Sequence, residues 1–517
     1  MKYFQIVLIA LFFTVTGFSQ SEKTTFKISD QLRDSRYSYL IDASSKGNYI
    51  YTIRSTGNIT KREYTVQQFD RGFNLRHEKA YEGIDQIPTD FVVMNDQIFM
   101  VEVKQDRKKK TQEWSMRKIN EETFRQEGDR IRLSKQQKAR GRNILSSNAS
   151  GYLLPQFTYS PDSTKVMMFF EFEANRPMQD KTFQAIVVNE SLEIIYREQV
   201  VLPYQNRNFD IEGFYVSNIG DVYIIGGKDN VKGLSQKTRE MVLHKFGTDG
   251  SEKSKIFALN KARNEFTGIS LYDESDNNLR LVGFVETRGQ LSGLHFFELS
   301  QELKLIKQKF HEVSTDQFLS TEIQDQIRGN KRSVRRYEYT GHIAAENNAV
   351  IITAEKRQIF QRLDNTGLGR TVGGGANVTT MFNYDDIFLC KVEEDFTLDW
   401  MRLIPKRQRW EDTDQFLSFK TKLVGNDLHV VYLDDMKNLE PGIRNLRTLS
   451  AGDRRRMVLV DAKVDLASGE LDRDIIFSPF NEDAYPLPAL GVDGNPKELI
   501  FFAKRGKNDR IVNVNFY

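Results

Sequence analysis

Apolar positions along this chain come in short runs separated by glycine, asparagine and aspartate turns, and the clearest unit spans 214–259. It reads FYVSNIGDVYIIGG, a polar gap, then MVLHKFGTDGSEKSKIFAL. Alternation leads into a tight turn at Asn218-Ile219-Gly220-Asp221, and the run Val222 to Ile225 returns from it. A second hairpin turns at Gly247-Thr248-Asp249-Gly250. Two such hairpins in series predict four short antiparallel strands.

The unit recurs. Inner hairpins with the same pattern fall at 39–54, 91–102, 157–171, 214–228, 269–286, 342–355, 421–434 and 488–504. Their spacing of roughly 50 to 80 residues suits propeller blades with loop insertions. Seven complete outer hairpins follow, from TVQQFDRGFNLRHEKAY to RRMVLVDAKVDLASGELDRDIIF. The eighth copy offers only IVNVNFY, and its missing partner is TTFKIS at 24–29, near the other end of the chain. An N-terminal strand completing the last blade closes the ring and leaves no open edge between first and last blades. The expected fold is all-β: a single propeller domain over 20–517 with eight four-stranded blades, or seven if one repeat is degenerate.

One blade adds a family resemblance. FTYSPDSTKVMMFF resembles the S-P-D-G-x-x-I-x-F repeat of TolB-type and WD-repeat-like bacterial propellers, with Ser163 in place of the usual glycine. VDLASGELDRD is faintly similar to the docking repeat of quinoprotein propellers, without its tryptophan. The layout as a whole is similar to secreted bacterial propellers of unknown function. The resemblance implies a fold, and a fold does not supply an activity.

Composition sharpens the compartment. Residues 1–19 carry Lys2, an apolar stretch from Phe4 to Val15 and small residues at Gly17 and Ser19. This pattern predicts a Sec-type signal peptide rather than a membrane span, because the apolar run is too short to cross. No cysteine lies near the expected cleavage point, so a lipoprotein anchor is not expected. The mature chain is expected outside the cytoplasm, periplasmic or extracellular, with no transmembrane span. Cys390 is the single cysteine, in the strand-like run IFLCKV, and is read as a small buried hydrophobe. A formal charge of +3 over 517 residues says nothing about a polyanionic partner, so any charge argument must be local.

In a four-stranded blade both connections between hairpins emerge on one face. The longest are 134–156, 313–340, 359–385 and 435–455, and long loops on a rigid scaffold are where binding resides. Several are basic, with Arg335, Arg336, Arg444, Arg447, Arg454, Arg455 and Arg456 as candidate contacts to an anionic surface. Aligning the second strand of each inner hairpin places a charge at its exit in every copy: Arg54, Glu102, Glu171, Lys228, Glu286, Glu355, Asp434 and Lys504. In equivalent blades these would ring the mouth of the channel.

Signatures of chemistry are sparse. The histidines His77, His244, His295, His311, His342 and His429 show no i, i+2 or i, i+4 pairing, so no metal site is expected. No cofactor is called for, and TVGGG at 371–375 lacks the lysine of a phosphate cradle. The pattern therefore predicts a binding or scaffold module of the bacterial envelope, with an envelope protein or an anionic glycan as partner. Nucleic acid is disfavoured by location and by sparse aromatic interleaving. The enzymatic alternative is a glycoside hydrolase or lyase using Glu102, Glu171 and Glu173, since two carboxylates in split environments can cleave a sugar linkage.

Overall fold

The computed structural model describes residues 24–29, 37–43, 49–58, 61–82, 87–106, 108–109, 111–137, 155–172, 178–232, 236–257, 264–275, 278–287, 290–314, 337–364, 377–440, 443, 445–505 and 508–517. The expected signal peptide at 1–19 lies outside them.

The chain forms eight antiparallel sheets of four strands, two of them with a short extra strand; in seven the strands follow sequence order, and the eighth takes its outer strand from near residue 25. They are arranged as the blades of an eight-bladed β-propeller. In blade four the strands are Phe209–Val216, Val222–Lys232, Gln236–Phe246 and Glu252–Phe257. The turns obey local chemistry. Gly220 and Gly250 take φ of 96° and 81°, conformations that cost a side-chain-bearing residue energy. Ser163, at the position of the motif glycine, also turns left-handed at φ 56°. Asp162 holds that turn by accepting hydrogen bonds from the Thr164 amide and hydroxyl at 3.1 and 2.9 Å.

Blade eight closes the ring as the repeat count requires. Thr25–Ile28 pairs antiparallel with the strand Asn508–Asn515, in the register Thr25↔Asn515 to Ile28↔Val512. The Ile511 amide donates to Ser29 Oγ at 2.9 Å, and Phe26 packs on Phe477 of blade seven with ring centroids 4.6 Å apart. Thr24 reaches further into blade seven, donating to Asp461 at 2.7 Å.

The core is distributed rather than central. Eight apolar clusters are present, one at each seam between neighbouring blades. Side chains of one strand alternate between two seams: on the second strand of blade five, Val282 and Phe284 face blade six, while Leu279, Leu281 and Val285 face blade four. This two-sided burial explains why the second strands read as near-continuous apolar runs, such as KVMMFF and LHVVYL. Trp114 and Trp400 sit in seams as packing residues, and Cys390 is fully buried, its thiol pushed up by burial.

One expectation needs correction. The connections between hairpins are not uniformly long loops, because second and third strands stay paired well beyond the blade. Ladders run to Asn58↔Lys61, Lys232↔Gln236 and Thr287↔Gln290, leaving two or three residues between. The segment 359–385 is mostly such a ladder, paired from Arg357↔Tyr384 to Asp364↔Asn377. An extra strand, Gln408–Glu411, lies along its outer edge against Met381–Tyr384. The upper face is thus a crown of hairpins.

Deleting residues 20–30 removes the closing strand, so thermal unfolding should remain one transition with its midpoint lowered by on the order of several °C. An unchanged midpoint would contradict the closure.

Candidate functional site

The second-strand charges do not form an open rim. Glu102, Glu286, Glu355 and Asp434 are all buried. The reason is geometric: the second strand stands one strand back from the channel, sandwiched between blades. A charge removed from water there is costly unless paired. Glu102 accepts from Arg117 Nε and Nη2 at 3.0 and 2.7 Å, on the third strand of its own blade. Glu171 is bonded to Lys181, and Lys228 lies 3.8 Å from Glu240. Lys504 reaches Gln415 at 3.4 Å. Arg54 occupies the same strand of blade one, its side chain outside the described residues, as is all of Glu173. Glu102 and Glu171 are therefore each committed to a cation within their own blade.

The histidines in strands are packing groups. His244 is buried among Tyr204, Phe209 and Phe246, and burial lowers its pKa to about 4. His429 lies 2.9 Å from Asp461. Among the described residues no cluster of three or more His, Cys, Asp or Glu side chains is arranged to hold a metal ion.

A feature absent from the sequence reading lines the channel. The first strands of blades two, four, five and six each carry a bulge near their start, at Thr89, Glu212, Thr267 and Thr340. Thr89 and Thr267 donate to second-strand carbonyls, Val101 and Phe284, at 3.2 and 3.3 Å. The signal was present in the recurrence of Asp210-Ile211-Glu212-Gly213, Glu265-Phe266-Thr267-Gly268 and Glu338-Tyr339-Thr340-Gly341. A Cβ at Gly268 would meet Glu212 Oε2 at an ordinary 3.5 Å contact, whereas one at Gly227, on the second strand of blade four, would strike the Arg239 guanidinium. Glu212 pairs with that guanidinium. Burial raises the Glu212 pKa, Arg239 opposes the rise, and Glu338 of blade six adds to it.

Between blades six and seven the same upper region opens into a cavity of about 440 Å³, with Ala489 of blade eight at its wall. Behind it lies a charge network. Lys406 and Glu355 are both fully buried, with Nζ to Oε1 at 2.6 Å. Glu355 Oε2 accepts from Arg357 Nε at 2.8 Å and from the Ser418 hydroxyl at 2.9 Å. Arg357 Nη2 donates to Ser418 Oγ at 3.1 Å, and the guanidinium lies over the Tyr384 ring, 4.8 Å from its centroid. Burial pulls the Arg357 pKa down, but Glu355 more than compensates, so the guanidinium stays charged. The Tyr384 hydroxyl donates to Asp414 at 3.1 Å, and Thr340, His342, Thr353, Lys420 and Thr421 add polar lining.

On the same face, the connection 435–455 is held by two 3-10 turns, Met436–Leu439 and Ala451–Asp453, the latter with a Ser450–Asp453 capping box. Arg456 is tied to Asp435 at 2.8 Å and also to Asp453. Arg454 and Arg455 are exposed and lie over Tyr485 and Phe480, 5.6 and 5.7 Å from the ring centroids. Arg447 is exposed, whereas Arg335, Arg336 and Arg444 lie outside the described residues.

No protein-family model matches the chain, nor does any curated protein. Similar solved structures include the β-propeller domain of the trilobed protease from Pyrococcus furiosus, 12% identical, covering 89% of this chain and 98% of that one, TM-score 0.36. The WD40 domain of SCAP from fission yeast is 8% identical over 96% of this chain and 99% of that one, TM-score 0.39. The polysaccharide lyase Uly1 is 10% identical over 84% and 91%, TM-score 0.36. The likeness is one of propeller architecture and goes no further.

Two measurements test the network. Glu355→Gln strands Lys406 and should cost about 3–5 kcal/mol in urea unfolding, whereas Glu355→Gln with Lys406→Met should cost less than the single change. A double variant as unstable as the two singles summed would show that the charges do not act as a pair. Asp434 gives a pH signature, since burial pushes its carboxyl up to about 7 from 3.8, against hydrogen bonds from Asn438 and the Asp435 amide. Between those values the folded chain holds a proton that the unfolded chain releases, so this contribution grows as pH falls from 7 toward 4. Asp434→Asn should therefore be more stable than the native chain at pH 8, by up to about 4 kcal/mol, with the gap closing toward pH 4.

Proposed function

We propose that the protein is an exported, non-enzymatic propeller that serves the bacterial envelope as a binding or scaffold module, holding an envelope protein or an anionic glycan on its crown face. Export rests on the signal-like segment 1–19. The observation that carries the binding reading is a contrast on the upper side of the ring. The acids that sequence offered for catalysis and that the structure describes are bound to partners, Glu102 to Arg117 and Glu171 to Lys181. A general acid or nucleophile needs an approachable carboxyl poised between protonation states. Recognition groups on the same face remain available: the polar cavity beside blade six, and the exposed guanidiniums of Arg454 and Arg455, each lying over an aromatic ring. Arginine presented in this way suits carboxylate, sulfate or phosphate.

The test is capture from detergent-solubilised bacterial envelope with residues 20–517 as bait. A second bait carries Arg454→Ser and Arg455→Ser and spares the structural Arg456. A partner held by the native bait and recovered at least tenfold less by the variant is the expected result. Equal recovery by both would remove these arginines from the binding face. Turnover of a glycan that is abolished by Glu102→Gln would replace the binding reading with the enzymatic one.

A further inference from the structure

Arg357 is held on three sides while one edge stays free. Its Nε is held by Glu355, its Nη2 by Ser418, and its Cζ lies over the Tyr384 ring. Glu355 is in turn fixed from behind by fully buried Lys406. Nη1 has no hydrogen-bond partner among the described residues, and the side chain is about a quarter exposed, at 26%, where it lines the cavity. A fork of donors fixed in advance loses little freedom when it binds, which favours a planar or tetrahedral oxyanion.

The remaining walls restrict what carries that oxyanion. The cavity, about 440 Å³, falls at the lower end of the range of roughly 300–1,000 Å³ typical of small-ligand sites. Its polar lining is made of hydroxyls, His342, Lys420 and Asp414, an acceptor already oriented by the Tyr384 hydroxyl. Such a lining matches a polyhydroxylated body rather than an apolar one. Against the two cations of the lining, Arg357 and Lys420, stand Asp414 in the wall and Glu338, close enough to Arg357 to interact with its charge, which limits the net attraction to a single negative group. A single charge on a hydroxyl-rich ring fits these constraints.

We infer that this cavity is a subsite for one acidic sugar residue, a uronate or a sulfated hexose, with Arg357 receiving its oxyanion. The inference rests on the binding reading and narrows it: the anionic glycan is gripped at the seam of blades six and seven, apart from the Arg454 and Arg455 surface.

Calorimetric titration of residues 20–517 with glucuronate, glucose 6-sulfate and glucose tests it. One of the two acidic sugars should bind at least tenfold more tightly than glucose, and the tighter one identifies the group. Arg357→Gln should weaken that binding about 10- to 100-fold. Ala489→Trp obstructs the cavity without touching the charge network, and should abolish binding at an unchanged unfolding midpoint, so the result does not depend on how well Arg357→Gln folds. Glucose bound as tightly as the acids, or native affinity in Ala489→Trp, overturns the inference. Failure of all three sugars while the envelope bait still captures its partner overturns the subsite and leaves the binding module standing. Failure of both experiments overturns both.

Discussion

Burial on both faces is the constraint from which the rest of this structure follows. Each second and third strand is pressed between two neighbours, so its side chains serve two seams alternately. Apolar residues satisfy that requirement directly. A charged residue satisfies it only with a partner: the adjacent strand supplies Arg117 for Glu102 and Lys181 for Glu171, while Glu355 is met by Arg357 of its own strand and by Lys406 of the connection that follows the blade's fourth strand. The charges that mark the exits of the second strands are thus parts of the scaffold. Removing one partner strands the other in a medium that solvates it poorly.

The first strands obey a different rule because they border the channel. Their bulges turn one residue out of the ladder, and the glycines that follow two of them, Gly213 and Gly268, flank the place where Glu212 sits. Above them the second and third strands continue as paired hairpins, longest in blade six. That hairpin, stiffened by Gln408–Glu411 on its outer edge, walls the cavity and places Arg357 where the blade gives way to the crown. Rigid ladders rather than loops position the candidate site, which explains how a guanidinium can be fixed from three sides.

The architecture was legible because turn chemistry is local. Asn218–Asp221, Gly247–Gly250 and the seven outer hairpins each announce a strand pair, and the shortfall of one strand pointed to 24–29. The site was far less legible. Charge at a strand exit looks the same in sequence whether it meets water or a cation, and the partners of Glu102 and Glu355 lie 15 and 51 residues downstream at Arg117 and Lys406. The length of segment 359–385 suggested a loop, although Ile359, Phe360 and Phe382 are strand formers that pair across it. The E-x-T-G recurrence in blades five and six was readable, but its meaning depends on a bulge that only register reveals.

The closing strand has a consequence in time. Thr25 and Asn515 are register partners at nearly opposite ends of the chain. Until these segments, 490 residues apart in register (515 − 25), meet, the Asn508–Asn515 strand is a bare sheet edge open to foreign strands. Bringing such distant segments together is slow, since long-range pairing must absorb loop entropy before contacts reward it. Blades one to seven have no such dependence, because each finds its four strands in order. Assembly of the ring therefore separates into early local events and a final clasp, and a handling factor that shields strand edges would act on the interval between them.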